Sequence, residues 1–213
     1  MLSPSTTLRT GFIEARQVVG VLALQGDVTE HLMALEHCGA SAIPVKTPAD
    51  LARVDALIVP GGESTTVMKL LDRSGLGRPI VERTRAGMPL WGTCMGMIVA
   101  AHDVVGVNQS TLDLIDITVR RNAFGRQNDS AQVELAIPAL GNTPFPAIFI
   151  RAPWIERHGR NVAVLAEREG RGVMAREGNV LATSFHPELG TDARVHQYFL
   201  QIVRQQGKAS TAA

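Results

Sequence analysis

The sequence predicts an α/β protein built on a mostly parallel sheet with additional antiparallel strands, and three observations carry that reading. Short apolar runs alternate with helix-like stretches from Val18 to His102, and Gly and Pro punctuate the boundaries. Past Asp113 the texture changes to a series of β-like runs with no helical stretch between them. Alternation demands crossovers, which join parallel strands, whereas consecutive strands admit antiparallel neighbours.

Each element has a local reason. Val18–Leu24 is apolar apart from Gly20 and Gln-free, as a strand buried on both faces should be. Asp27 stands three residues before Glu30, a capping-box-like start for a helix that carries Val28, Leu32 and Leu35 on one face and stops at Gly39. Ser41–Lys46 reads as the second strand, Thr47-Pro48 as the start of a short helix, and Asp55–Val59 as the third strand. Helices follow from Ser64 and from Pro79, then a strand at Leu90–Thr93 and a helix from Met95 to His102. The β-like runs are Leu114–Arg120, Val133–Ile137, Ala147–Ile150, Val162–Ala166, Gly172–Ala175 and Val180–Phe185. A closing helix, Asp192–Gln206, sets Val195, Phe199, Ile202 and Val203 near helical spacing. Residues 1–17 read as a disordered extension, 18–206 as one domain and 207–213 as a fraying tail.

Composition narrows the function classes. Of 213 residues 45% are hydrophobic, and Lys+Arg 21 against Asp+Glu 20 leave a formal charge of +1. A chain this long buries roughly 70% of its unfolded surface, so a core forms without a metal or disulfide staple. Near-neutral charge without a basic cluster argues against a nucleic-acid or membrane-surface binder. The apolar stretch Met95–Ala101 is far short of the roughly 18 residues of a membrane span. The first sixteen residues lack a continuous apolar core and contain Glu14, so no secretory signal is expected. Cys38 and Cys94 then read as free thiols in a reducing compartment, and the cytoplasm is the expected location.

In an open α/β sheet, ligands bind beyond the carboxyl ends of the strands, which directs attention to the loops after Val59, Thr93 and Phe185. Gly92-Thr93-Cys94-Met95-Gly96 lies between a strand and a helix, the setting of a nucleophile elbow with Cys in place of Ser. The positive end of the following helix would stabilise a thiolate. The alternative is a buried Cys acting as a small hydrophobe, the reading that Cys38 receives. His186 and Glu188 alternate around Pro187, so an extended segment would point both the same way, with the carboxylate fixing the imidazole's tautomer. A surface His beside a solvated Glu is the alternative. The other five histidines, His31, His37, His102, His158 and His196, lie in helix-like or loop settings and read as structural or exposed. Pro60-Gly61-Gly62-Glu63-Ser64 follows the third strand, and its backbone N–H groups suit an oxyanion hole; a phosphate loop is the alternative, but the Lys and spacing of a Walker motif are missing. Nucleophile, base with its orienter, and oxyanion donors at three strand ends are what acyl transfer requires.

These residues resemble the class I, triad-type glutamine amidotransferases, whose Cys-His-Glu triad is matched by Cys94, His186 and Glu188. Leu22-Ala23-Leu24-Gln25-Gly26, Pro60-Gly61-Gly62-Glu63-Ser64-Thr65-Thr66, the segment from Arg120 to Gln127, Phe149-Ile150-Arg151-Ala152-Pro153 and His186-Pro187-Glu188-Leu189 are similar to the glutaminase subunits of pyridoxal 5'-phosphate synthase. The resemblance covers about residues 18–204 and implies a three-layer, flavodoxin-like fold. It implies hydrolysis of L-glutamine to L-glutamate and ammonia, with the ammonia passing to a synthase subunit in a hetero-oligomeric complex. It implies no cofactor and no metal in this subunit, oxyanion donors at Gly62 and Met95, and a glutamine site formed by Gly62, Glu63, Ser64, Arg121, Ile150 and Arg151. A guanidinium fork suits the substrate's α-carboxylate, although Arg121 and Arg151 also fit solvated or interface charges. Met95 stands where this family usually has a small Ala, and Asn128–Gln132 departs from its usual run. The alternatives are a glutaminase of another amidotransferase, such as imidazole glycerol phosphate synthase, and a noncatalytic assembly module of the same fold.

Overall fold

In the computed structural model, residues 17–122 and 130–211 are described. The chain opens with β1 (Val18–Leu22), α1 (Val28–His37), β2 (Ser41–Val45), α2 (Pro48–Leu51) and β3 (Ala56–Val59). It continues through α3 (Ser64–Ser74), α4 (Gly77–Arg85), β4 (Leu90–Thr93), α5 (Met95–Ala100), β5 (Ala101–Val104) and β6 (Ile115–Arg120). The second half holds β7 (Ser130–Leu135), β8 (Phe145–Ile150), β9 (Trp154–His158), β10 (Ala163–Arg168), β11 (Arg171–Glu177), β12 (Val180–Thr183) and α6 (Arg194–Thr211).

Ten strands form one sheet in the order β2-β1-β3-β4-β12-β11-β9-β6-β5, with β10 beside β11. From β2 to β12 the neighbours are parallel; β11 pairs antiparallel with β12, β9 and β10, and β7 with β8 makes a separate antiparallel ribbon. This is the mostly parallel sheet with antiparallel additions that the sequence predicts.

Local chemistry explains the helix ends. Thr47 and Asp50 form a reciprocal capping box on α2. Glu63 caps α3 by accepting from the amides of Thr65 and Thr66, and Gly75 closes it at φ 69°. The capping box expected at Asp27 does not form: no side-chain cap bond is made there, because the carboxylate serves a tertiary partner described below.

Two strands escape the sequence reading. α5 ends at Ala100 and the chain turns extended at Ala101 to form β5, paired in parallel with β6; the apolar run Met95–Ala101 crosses the break, and His102 and Asp103 leave β5 no apolar run of its own. β9 is masked by Glu156, Arg157 and His158, which read as loop yet pair with β6. At the other end, α6 runs on to Thr211, through residues expected to fray.

Because side chains alternate across a strand, the central sheet feeds two cores. Leu57 and Val59 of β3 pack with Val67, Leu71, Ile80 and Met97 under α3, α4 and α5, while Ala56 and Ile58 pack with Leu35, Phe199 and Phe185 under α1, α6 and the β7–β8 ribbon. Trp91, Phe145, Phe185 and Phe199 are fully buried, and each contributes about 1.5–3 kcal/mol of transfer free energy.

Candidate active site

Register brings the site together. Val59 of β3 is level with Gly92 of β4, and Thr93 of β4 is level with Thr183 of β12, so three loops leave the sheet side by side at its carboxyl edge.

The loop after β4 makes the elbow. Cys94 adopts φ 49°, ψ −104°, a conformation that costs a non-glycine residue about 1–3 kcal/mol. It is held there by its amide, which donates to the Thr183 carbonyl at 2.8 Å. Glycine is required on both sides: a Cβ on Gly92 would strike the backbone of Gly96, and one on Gly96 would strike the Val59 carbonyl. Cys94 is 8% exposed, with its sulfur 3.8 Å from the Ile150 carbonyl oxygen.

The loop after β12 delivers the imidazole. His186 anchors its amide on the Ile148 carbonyl of β8 at 2.8 Å, and its φ of −106° lies outside the helical region, as suits a residue before proline. His186 and Glu188 do not lie on an extended segment as the sequence suggests; Pro187–Leu189 is a single 3₁₀ turn. The turn still brings the groups together, with Nδ1 2.7 Å from Glu188 Oε1. Burial works against charge on His186, yet the Cys94 sulfur and the Glu188 carboxylate beside it push the imidazole up to about 10. For Glu188 burial dominates and raises its carboxyl above the ordinary value, with His186 opposing the rise. A second carboxylate, Asp27 Oδ2, lies 3.4 Å from His186 Nδ1, which explains the missing cap at α1. Asp27, His186 and Glu188 are also the one grouping among the described residues whose donor atoms converge as a metal site would require. Its shared feature is Nδ1 aimed at two carboxylates, an orienting arrangement for an imidazole.

The loop after β3 closes the third side. Gly61 leaves no room for a Cβ beside the His186 ring, and a Cβ on Gly62, at φ 146°, would strike the Gln25 side chain. Cys94, Met95, Gly62, Glu63, Ser64, Arg121, Ile150, Arg151 and His186 all border one cavity of about 450 Å³, so every site residue read from the sequence except the buried Glu188 lines it directly.

At the rim the side chains are committed to one another. Glu63 spends its carboxylate on Thr65 and Thr66; burial opposes its charge, but those donors hold it down at about 2. Arg121 donates to Gln109 Oε1 at 3.0 Å and to Glu63 Oε1 at 3.3 Å, and Ser64 Oγ reaches the same Gln109 oxygen at 3.2 Å. Asn122 and Arg151 both border the cavity at positive φ, 47° and 43°. Most of the Arg120–Gln127 segment, and Asn128 with Asp129, lie outside the described residues.

Four residues at the site are not among those the sequence marks as functional: Gln25, Asp27, which reads as a helix cap, His31, which reads as structural or exposed, and Gln109. Gln25 sits in the quoted Leu22–Gly26 motif, whereas nothing local marks Gln109. Cys38, the other free cysteine, is half-buried on the far end of α1, and burial pushes its thiol up.

A strained cysteine at a strand-to-helix turn, an imidazole against it and a carboxylate behind the imidazole define an α/β amidotransferase of the thiol class. The SNO glutamine amidotransferase family matches residues 21–205, and the chain belongs to that family. It is 52% identical over 200 residues to the pyridoxal 5'-phosphate synthase subunit PdxT of Acidothermus cellulolyticus, covering 91% of this chain and 97% of that one. The PdxT of Dehalococcoides mccartyi is 52% identical, covering 87% and 97% of the two chains. Among solved structures, a glutamine amidotransferase superposes with a TM-score of 0.83 at 45% identity, covering 87% of this chain and 98% of that chain. PurLQS from Thermotoga maritima shares the fold at a TM-score of 0.66 and 16% identity, covering 87% and 98%.

Proposed function

We propose that the chain is the glutaminase subunit of a pyridoxal 5'-phosphate synthase, hydrolysing L-glutamine to L-glutamate and delivering ammonia to a synthase subunit. The observation that carries the reading is the convergence of Cys94, His186 and Glu188 on one cavity in a chain about half identical to named subunits of that synthase.

Cys94 attacks the side-chain amide carbon, the carbonyl oxygen becomes an oxyanion, and the N–H groups of Gly62 and Met95 receive it. His186 takes the thiol proton and returns it to the departing ammonia, leaving a glutamyl thioester; Glu188 holds the imidazole in the required orientation. Water activated by His186 then releases glutamate. Gly62, Glu63 and Ser64 offer backbone groups to the substrate, because the Glu63 carboxylate is occupied by its own helix. Arg121 is the fork for the α-carboxylate, with Ile150 and Arg151 completing the site. These steps call for no metal and no organic cofactor, since the thiol and imidazole supply both nucleophile and proton.

Released ammonia would be protonated and lost in water, which favours a docked synthase subunit. Activity of the chain alone is then weak, and the partner raises it by ordering the Gly61-Gly62 loop. Among the described residues no helix is long and apolar enough to cross a membrane, and a cytoplasmic place is part of the proposal. Residues 18–206 act as the amidotransferase unit.

The test is glutamate release from glutamine, with and without a pyridoxal phosphate synthase subunit. A partner-dependent rise, lost by a factor of about 10⁴ or more in Cys94→Ala, is expected. Silence in the presence of the synthase subunit would reject the partner, and an undiminished Cys94→Ala would reject the triad.

A further inference from the structure

Behind the triad lies a buried chain of groups that the mechanism above does not use. His31, on α1, is 0% exposed. Its Nε2 lies 3.4 Å from Glu188 Oε2 and 3.2 Å from Thr93 Oγ1, while its Nδ1 lies 3.1 Å from Nε2 of His196 on α6. Glu188 spends Oε1 on His186, and its fully buried Oε2 has no hydrogen-bond partner of good geometry among the described residues. The group that faces that oxygen is His31.

We propose that His31 is a positioning residue for the triad, donating Nε2–H toward the outer oxygen of Glu188 and so fixing the carboxylate that orients His186. The proposal deepens the reading of Cys94, His186 and Glu188 as a catalytic triad and rests on it.

Counting protons selects this arrangement. Burial, with His196 and His186 nearby, holds His31 well below its ordinary value, and burial holds His196 down at about 4, so each ring is neutral at neutral pH with a single N–H. If the His31 proton is on Nε2, it points at Glu188 and Thr93, and Nδ1 accepts from Nε2–H of His196. One fault remains, a lone pair on His196 Nδ1, which has no partner among the described residues. If the His31 proton is on Nδ1 instead, it occupies His196 Nε2 and forces that ring's proton onto Nδ1. A buried N–H is then left without an acceptor, and although the Thr93 hydroxyl can donate to His31 Nε2, the buried Glu188 Oε2 faces that ring with no donor. An orphaned N–H together with an orphaned carboxylate oxygen costs more than one orphaned imidazole lone pair.

The placement is built into α1. Asp27 at the start of the helix faces His186, and His31, four residues on and so on the same side, faces Glu188. One helix thus touches both members of the imidazole–carboxylate pair. Around that pair the titratable neighbours are Cys94, Asp27, His31 and, through His31, His196.

The direct test is the tautomer. In the intact chain with ¹⁵N-labelled histidine, the His31 signals are identified by their loss in His31→Gln, and the Nε2–H form is expected; the Nδ1–H form would overturn the proposal. The second arm compares His31→Leu with His31→Gln, whose amide nitrogen reaches the place of Nε2. Alkylation of Cys94 by iodoacetamide should slow about tenfold at neutral pH in His31→Leu, with its pH profile moved upward. The kcat for glutamine, measured with the synthase subunit, should fall by a similar factor at unchanged KM, and His31→Gln should recover to within about threefold of the native rates. A folded His31→Leu with native alkylation and kcat sinks the idea, as does a His31→Gln no better than His31→Leu. Should His31→Leu not fold, the tautomer and the His31→Gln profile decide. Alkylation needs neither glutamine nor partner, so a wrong substrate assignment leaves this result standing and is told apart from it.

Discussion

The floor of the cavity and its rim are held by different means. On the floor, Cys94, His186 and Glu188 hang from the ends of β4 and β12, in contact with buried strands, and every relevant group is at most 8% exposed. On the rim, Glu63 and Arg121 are bound to each other at 3.3 Å with side chains 48% and 32% exposed. Reacting atoms need fixed geometry, which a packed sheet provides; a substrate must enter and leave, which loops allow. In the proposed role, Arg121 would exchange Glu63 for the substrate's carboxylate, and binding would begin by giving up an ion pair.

Substitutions can break or sharpen that contrast. Glu188→Gln strikes the floor: kcat should fall by about 10²–10⁴ with KM little changed, because the amide no longer selects the imidazole tautomer. A dominant change in KM, in steady-state glutamate release with the synthase subunit, would erase the distinction. Arg121→Ala strikes the rim, where loss of a charge-assisted contact of about 1.5–3 kcal/mol should lower kcat/KM about 10- to 100-fold, chiefly through KM. An equal loss in kcat would place Arg121 with the floor. The smallest effect belongs beneath the floor, at His196. Its folded-state value of about 4 lies below that of the unfolded chain, so the unfolded state takes up a proton first as the pH falls. Stability present above about pH 6.5 is therefore lost on the way down toward about 4. His196→Gln should flatten that acid limb of the melting temperature, followed by circular dichroism.

What is legible in the sequence follows the range of the forces involved. Gly92-Thr93-Cys94-Met95-Gly96 is legible because its steric demand is local: two glycines are needed within one turn wherever a strand runs into a helix this tightly. His186 and Glu188 are legible as a pair because they are two residues apart, although the turn joining them is 3₁₀ rather than extended. Asp27 misleads for the same reason, since a local capping pattern cannot reveal that a histidine far along the chain claims the carboxylate. His31 and Gln109 are illegible because their partners come from elements set only by tertiary packing. β9 is hidden by its charged side chains, and β5 by His102 and Asp103, which follow directly on the apolar run of α5.

Trp91 occupies an unusual post in this interior. Its indole N–H donates to Thr183 at 3.1 Å, and its ring meets His31 and His196 nearly edge-on, with centroids 5.5 and 4.9 Å away. The other tryptophan, Trp154, is half-buried on β9, within reach of an aqueous quencher that the fully buried Trp91 escapes. Fluorescence that survives such a quencher comes from Trp91, so the chain carries an optical gauge against the two imidazoles, readable without a label as they gain or lose a proton.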